Sequence, residues 1–317
     1  MFKYLLALLL PILLLFSNSN LGLAQETAQQ ATTPAQESEQ ESPEQEDTEL
    51  SDDEADGDLE DGDAESAVGI DVIQTRPRQT AEILRLRDLY RDQVERYRTV
   101  DREFQISKAQ YQQIQTLQSL EEAVVSTREV LLVRDQVLIT YFELMLTSLE
   151  DTEGIDLVDK RAVINEMIEH IEVLREHRDA VAQTTNREGI AERVEEFALL
   201  SEPFETTAYK GLALINIGDI QTVYDKARLI YADILTYHQE QPVSAVKQQE
   251  RLRAYREAER ELERIGLLLR EIRIEYGRNT TIGRDSYDRV LGNNLNSAYS
   301  GTSQIIFYLR ELFLELT

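Results

Sequence analysis

Residues 83–114 read ILRLRDLYRDQVERYRTVDREFQISKAQYQQI. Ile83, Tyr90, Tyr97, Phe104 and Tyr111 recur every seven residues. Leu86, Val100 and Ile114 stand three places after Ile83, Tyr97 and Tyr111. A helix lines these positions up along one face, so the stretch predicts a long amphipathic helix burying one apolar seam in coiled-coil fashion. A strand would need alternation at every second residue, and none occurs. The same aromatic row could serve as a stacking platform for a ligand such as a carbohydrate. At heptad spacing it is assigned to the core, with hydroxyls reaching the bundle edge.

The texture continues toward the C-terminus. Leu157, Ile164 and Ile171 form a second row, with Met167, Leu174 and Val181 beside it. Breaks follow from capping chemistry. Gly154 lies in a turn and Asp156 can cap the next helix. Thr185-Asn186-Arg187-Glu188 has capping-box spacing. Ser201 before Glu202-Pro203 reads as a cap with proline in the first turn. Pro242 ends one helix, and Gly277 to Gly283 separate the last two. The expected helices are 78–150, 156–184, 187–200, 203–240, 244–276 and 284–316. Ser107-Lys108-Ala109-Gln110 offers a bend in the first.

The fold class expected is all-α: elongated antiparallel helical bundles with coiled-coil-like heptad packing over residues 71–317. Residues 108–150, 156–200 and 203–240 would form one bundle, and 78–107, 244–276 and 284–316 a second, sharing the first helix. A single long bundle is the alternative. Gly211 and Gly218, seven apart in an apolar stretch too short to span a membrane, predict close approach of a neighbouring helix.

Upstream of the helical region the chain changes character. Lys3, the apolar run Tyr4 to Phe16, a polar patch Ser17 to Asn20 and the small-residue end Gly22-Leu23-Ala24 have the order of a secretory signal peptide, residues 1–24. About thirteen apolar residues are too few for a comfortable membrane span. The expectation is an extracytoplasmic protein, secreted, periplasmic or at the cell surface, with no integral span after cleavage. An uncleaved N-terminal anchor is the alternative. The chain has no Cys, so disulfides and thiol chemistry are excluded.

Residues 25–70 hold seventeen Asp and Glu and no Lys or Arg, a large share of the net charge of -27. With almost no large apolar side chains, this low-complexity linker cannot offset its ordering entropy, and it reads as disordered. A chain this acidic repels nucleic-acid phosphates and anionic lipids, so nucleic acid is not an expected partner. Protein partners or self-association are. Within the linker, Asp52, Glu54, Asp56, Gly57, Asp58, Leu59 and Asp63 occupy positions 1, 3, 5, 6, 7, 8 and 12 of a calcium-loop template. The twelve residues resemble EF-hand and dockerin-type loops, which implies calcium ligation by Asp52, Glu54, Asp56, Asp58 and Asp63. Glu54 and Asp63 depart from the EF-hand pattern, and flanking amphipathic helices are missing. An Asp-rich spacer meets the template by composition alone, so weak, loose calcium binding is expected, and no other cofactor.

His170 and His177 share a helix with Glu166, Glu169, Glu172 and Glu176. Seven residues apart, they stand about 10.5 Å apart along the axis and cannot chelate one metal. The di-iron Glu-x-x-His pattern fails because Met167 and Leu174 hold the Glu positions. Both histidines are expected on solvated helix flanks, with Glu166 within reach of His170. Asn279-Thr280-Thr281 is a glycosylation sequon in form. Residues 307–316, FYLRELFLEL, are apolar enough to form an oligomerisation face if exposed. No phosphate-binding glycine loop, Gly-x-Ser-x-Gly or His-Glu-x-x-His occurs. The chain is therefore expected to be no enzyme. The expected role is structural or protein-binding at the cell envelope or outside the cell, with a sensory or small-ligand-binding bundle as the alternative.

Overall fold

Seven-residue apolar rows pay off only when two helices lay them against each other, and the first two helices do so. In a computed structural model of the protein, residues 70–240, 245–279 and 281–314 are described, with side chains over 80–239, 248–279 and 281–314. Segment 1–24 and the acidic residues through Gly69 lie outside these. Helix α1 is Ile70–Ile114 and α2 is Leu117–Asp151. Leu86, Tyr90, Val94, Tyr97, Val100 and Phe104 of α1 are buried. Tyr90 meets Tyr141 of α2 at 5.6 Å between ring centroids, and Arg96 faces Glu129 at 3.8 Å. Rising numbers on α1 therefore meet falling numbers on α2, an antiparallel hairpin. Each buried aromatic removes about 150–250 Å² from water, worth several kcal/mol at roughly 25 cal/mol per Å².

The turn is not at Ser107, where α1 runs on unbroken. It is at Gln115, whose φ of 52° lies in the left-handed region. Thr116 then caps α2: its hydroxyl accepts from the Ser119 N–H at 3.2 Å, and the Ser119 hydroxyl accepts from the Thr116 N–H at 3.1 Å. A capping box supplies partners for loose N–H groups but does not itself break a helix. The left-handed residue does that.

Helix α3, Leu157–Gln183, begins as expected at Asp156, whose carboxylate accepts from the N–H groups of Val158 at 2.7 Å and Asp159 at 3.3 Å. Helix α4, Arg187–Glu240, is capped by Asn186, which accepts from the Gly189 N–H at 2.8 Å, rather than by Thr185 and Glu188. The break expected at Pro203 does not occur; α4 runs through it for 54 residues. Pro203 has no N–H for the Leu199 carbonyl, but Leu199 is 80% exposed, so the loss falls on the side where water can replace it. Phe197, Phe204, Ala208 and Tyr209 are buried on either side of the proline and anchor the helix on both sides of it.

Helix α5 is Ala245–Arg278. A single turn, α6, Arg284–Ser286, leads through a π-helical segment, Tyr287–Gly292, into α7, Asn293–Leu314. Six long helices thus pack together, with no strand among the described residues and none long and apolar enough to cross a membrane. The N-terminal part of α4 lies against α2 and α3; its C-terminal part lies against α5 and α7. Among the described residues helix α1 packs on α2, with no comparable packing on α5 or α7. The helix common to both groups is therefore α4, not the first.

Gly211 meets neighbouring helices as its spacing predicted, whereas Gly218 meets the α2–α3 loop. A Cβ at Gly211 would collide with Met167 and Met145, and one at Gly218 with Thr152 and the Glu153 carbonyl.

Candidate functional site

The five predicted calcium ligands, Asp52, Glu54, Asp56, Asp58 and Asp63, lie outside the described residues. Among the described residues no three His, Cys, Asp or Glu side chains converge as a metal site would require.

The two histidines are not on solvated flanks. Val163, Met167, His170, Leu174, His177 and Val181 alternate in steps of four and three, the spacing of a helix seam. His177 is buried between α2, α3 and α4. Its Nδ1 lies 2.6 Å from Asp135 Oδ2 and its Nε2 lies 2.9 Å from the Arg193 carbonyl. Asp135 Oδ1 also accepts from Arg134 Nη2 at 3.0 Å and Nε at 3.2 Å. Arg134 lies over the Phe197 ring, 3.2 Å from its centroid. Both ring nitrogens of His177 face acceptors, an arrangement that favours the imidazolium. Burial pushes its pKa down, but the Asp135 hydrogen bond and charge and the Arg193 carbonyl outweigh burial and Arg134, leaving it raised.

Two turns along the seam, His170 is half-buried against Phe204, at 4.8 Å between ring centroids, and Phe142, at 5.6 Å. Its Nε2 lies 2.9 Å from the Thr207 hydroxyl. That hydroxyl donates to Glu166 at 3.0 Å, and Lys210 donates to the same carboxylate at 3.1 Å. The Thr207 proton is thus committed, and His170 Nε2 donates to the hydroxyl oxygen. Burial lowers the His170 pKa, and Glu166, Glu169 and the Pro203 carbonyl do not reverse it. The trio has the residue types of a nucleophile, base and carboxylate. Its arrangement differs from a catalytic one, because Thr207 is 3% exposed and donates to the carboxylate instead of the imidazole. It is a polar strap between α3 and α4.

A third polar cluster joins α4 to the π-helical segment and α7. Asn216 Nδ2 donates to the Tyr287 hydroxyl at 3.0 Å, and the Tyr299 hydroxyl donates to Asn216 Oδ1 at 3.2 Å. Tyr287 packs on Tyr209 at 5.2 Å. Burial, with Glu205 and Asp288 nearby, pushes Tyr209 up to about 12. Asp219, half-buried on α4, has a raised pKa, from burial first and from Asp151 second.

A concavity lies between α4 and α5. It holds about 720 Å³ and is lined by Gln221, Tyr224, Gly266, Leu267, Arg270 and Ile274, among others. Gly266 makes room for the Tyr224 hydroxyl, 2.8 Å from where a Cβ would stand. At one end Arg273 donates to the Gly154 carbonyl and to Gln221 Oε1, both at 2.9 Å, so the α2–α3 loop closes that end. Leu267 and Ile274 are 61% and 46% exposed in the groove. Helix α7 meets α5 elsewhere, at Arg253 and Ile265.

The histidine cluster escaped the sequence reading because two rows compete on α3. Ile164 and Ile171 look more like core than His170 and His177, and only the four-three spacing from Val163 to Val181 marks the difference. The groove has no sequence signature, since its residues come from helices distant in the chain. Compared with protein-family models, with curated proteins and with solved structures, the chain has no match.

Proposed function

We propose that the protein is an exported, non-enzymatic helical bundle with a structural or protein-binding role at the cell envelope or outside the cell. Export rests on the order of residues 1–24, and the binding role on the α4–α5 groove. The groove is where two helices continue past the α2–α3 loop, with no helix over them among the described residues. Leu267 and Ile274 offer apolar anchors at helix spacing, and Arg270 supplies a charge beside them. A partner helix laid between α4 and α5 would complete a local bundle, with contacts in the helix-in-groove mode. No polar cluster described above leaves a nucleophile or an acid–base pair open to substrate.

The test is capture from the envelope fraction with the mature chain, run beside Leu267→Asp and Ile274→Asp. Both residues are exposed, so the fold should survive. A partner retained by the parent chain and lost from both variants supports the reading; equal capture by all three removes the groove from it. The groove volume also falls in the range of small-molecule sites, which favours a ligand-binding bundle as the second reading. Thermal stabilisation by a small-molecule fraction, abolished by Tyr224→Ala, would select that one.

A further inference from the structure

Helix α7 has two apolar faces. Leu295, Ala298, Thr302, Ile305, Leu309 and Leu312 point into the bundle and are buried. Tyr299, Ile306 and Phe313, seven apart, form a second row, with Phe307 beside it; these four are 37%, 54%, 56% and 65% exposed. A surface helix keeps one apolar stripe, and one apolar on both sides is normally covered on both.

The charge balance is compatible with a second copy covering it. The whole chain carries -27, yet residues 245–314 hold twelve Lys and Arg against ten Asp and Glu, a difference of +2. This part can meet its own copy without the repulsion that the acidic remainder of the chain would bring. Its outer face also matches itself when run antiparallel. About a two-fold axis between Ile306 and Phe307, Ile306 lies opposite Phe307, Ser300 opposite Phe313 and Ser303 opposite Arg310. Each Arg310 then faces a hydroxyl, whereas parallel pairing would set the two arginines side by side. Large side chains of about 150–250 Å² each, exposed to this degree, leave on the order of 400 Å² of apolar surface open, beyond what a scattering of single residues explains. Doubled, and with Ser300, Ser303, Gln304 and Arg310 included, the contact reaches roughly 1,200 Å², the lower end of specific interfaces.

We propose that α7 pairs antiparallel with α7 of a second copy of this chain, through Tyr299, Ile306, Phe307 and Phe313 around a two-fold at Ile306–Phe307. The contact is isologous, so it closes as a dimer. It uses a different surface from the α4–α5 groove and stands whether or not the groove takes a partner.

The test uses the full mature chain, whose lack of Cys makes single-cysteine cross-linking unambiguous. Sedimentation should give a dimer mass, and Ile306→Asp a monomer with unchanged helix content. Should Ile306→Asp disturb the fold, Ile306→Cys decides. Near the axis it should oxidise to a disulfide-linked dimer. Two Phe313→Cys residues would stand about 20 Å apart along the helices, beyond the Cα separation a disulfide spans, and should not link. A monomeric parent chain overturns the proposal. So does a dimer that survives both Ile306→Asp and Phe313→Asp, or cross-linking through residue 313 but not 306. A monomer that floats with phosphatidylcholine vesicles assigns the face to lipid and equally overturns it.

Discussion

Asp135 answers to two cations at once, Arg134 on its own helix and His177 on α3, while the Arg193 carbonyl takes the second imidazolium proton. Asp135→Asn leaves Arg134 buried without its counter-charge and removes the charge that favours the protonated form of His177. It should cost about 3–5 kcal/mol, read from denaturant midpoints. The titration has a definite sign. Because the folded pKa of His177 is raised, its contribution is complete below the unfolded value of about 6.5 and disappears as pH climbs through the folded pKa. Parent-chain stability should therefore fall between mildly acidic and alkaline pH, and His177→Gln should remove that component of the fall. Asp219 behaves oppositely to a paired carboxylate. Burial and Asp151 raise its pKa, so ionising it opposes folding at neutral pH and ceases to do so below the unfolded pKa. Asp219→Asn should raise the melting temperature at pH 7, with the gain vanishing in acid.

At the scale of elements, glycine positions separate packing from propensity. Gly218 is pressed against Thr152 and the Glu153 carbonyl, so Gly218→Ala forces the α2–α3 loop to move and should cost about 1–3 kcal/mol. Gly277 in α5 has nothing within 4 Å of its would-be Cβ, and Gly277→Ala should stabilise by about 0.5–1 kcal/mol. Thermal melts of the two variants should move in opposite directions. The middle of the predicted heptad row, Leu86 to Phe104, the Asp156 cap and the close approach at Gly211 were legible in the chain, because each is a local rule of spacing or hydrogen bonding; the end of the row was not, since Ile114 is 59% exposed. The turn at Gln115 was not, since no residue preference marks a glutamine for the left-handed region. Continuity through Pro203 was not either. Local chemistry argues for a break there, and burial of Phe197 and Phe204 overrides it. The histidine seam was readable in its four-three spacing but was masked by the neighbouring isoleucines.

For the molecule as a whole, the net acid is concentrated N-terminally, in residues 25–69, which contribute almost no apolar side chain. A chain beginning at Gly69 should keep its helix content and melting temperature by circular dichroism; a drop of many degrees would mean that the segment docks on the bundle. Helix α4 bears on stability in another way. Its N-terminal half completes the core with α2 and α3, and its C-terminal half completes the one with α5 and α7. Two cores with separate helices could melt one after the other. Two cores threaded on one helix share its hydrogen-bonded ladder, so fraying at either end removes structure that the other core needs. Heating should therefore give one calorimetric transition for residues 69–317, with calorimetric and van't Hoff enthalpies equal. Placing a helix-breaking proline at Ala227 on α4, far from α1, should lower the single transition temperature for the α1–α2 hairpin as well.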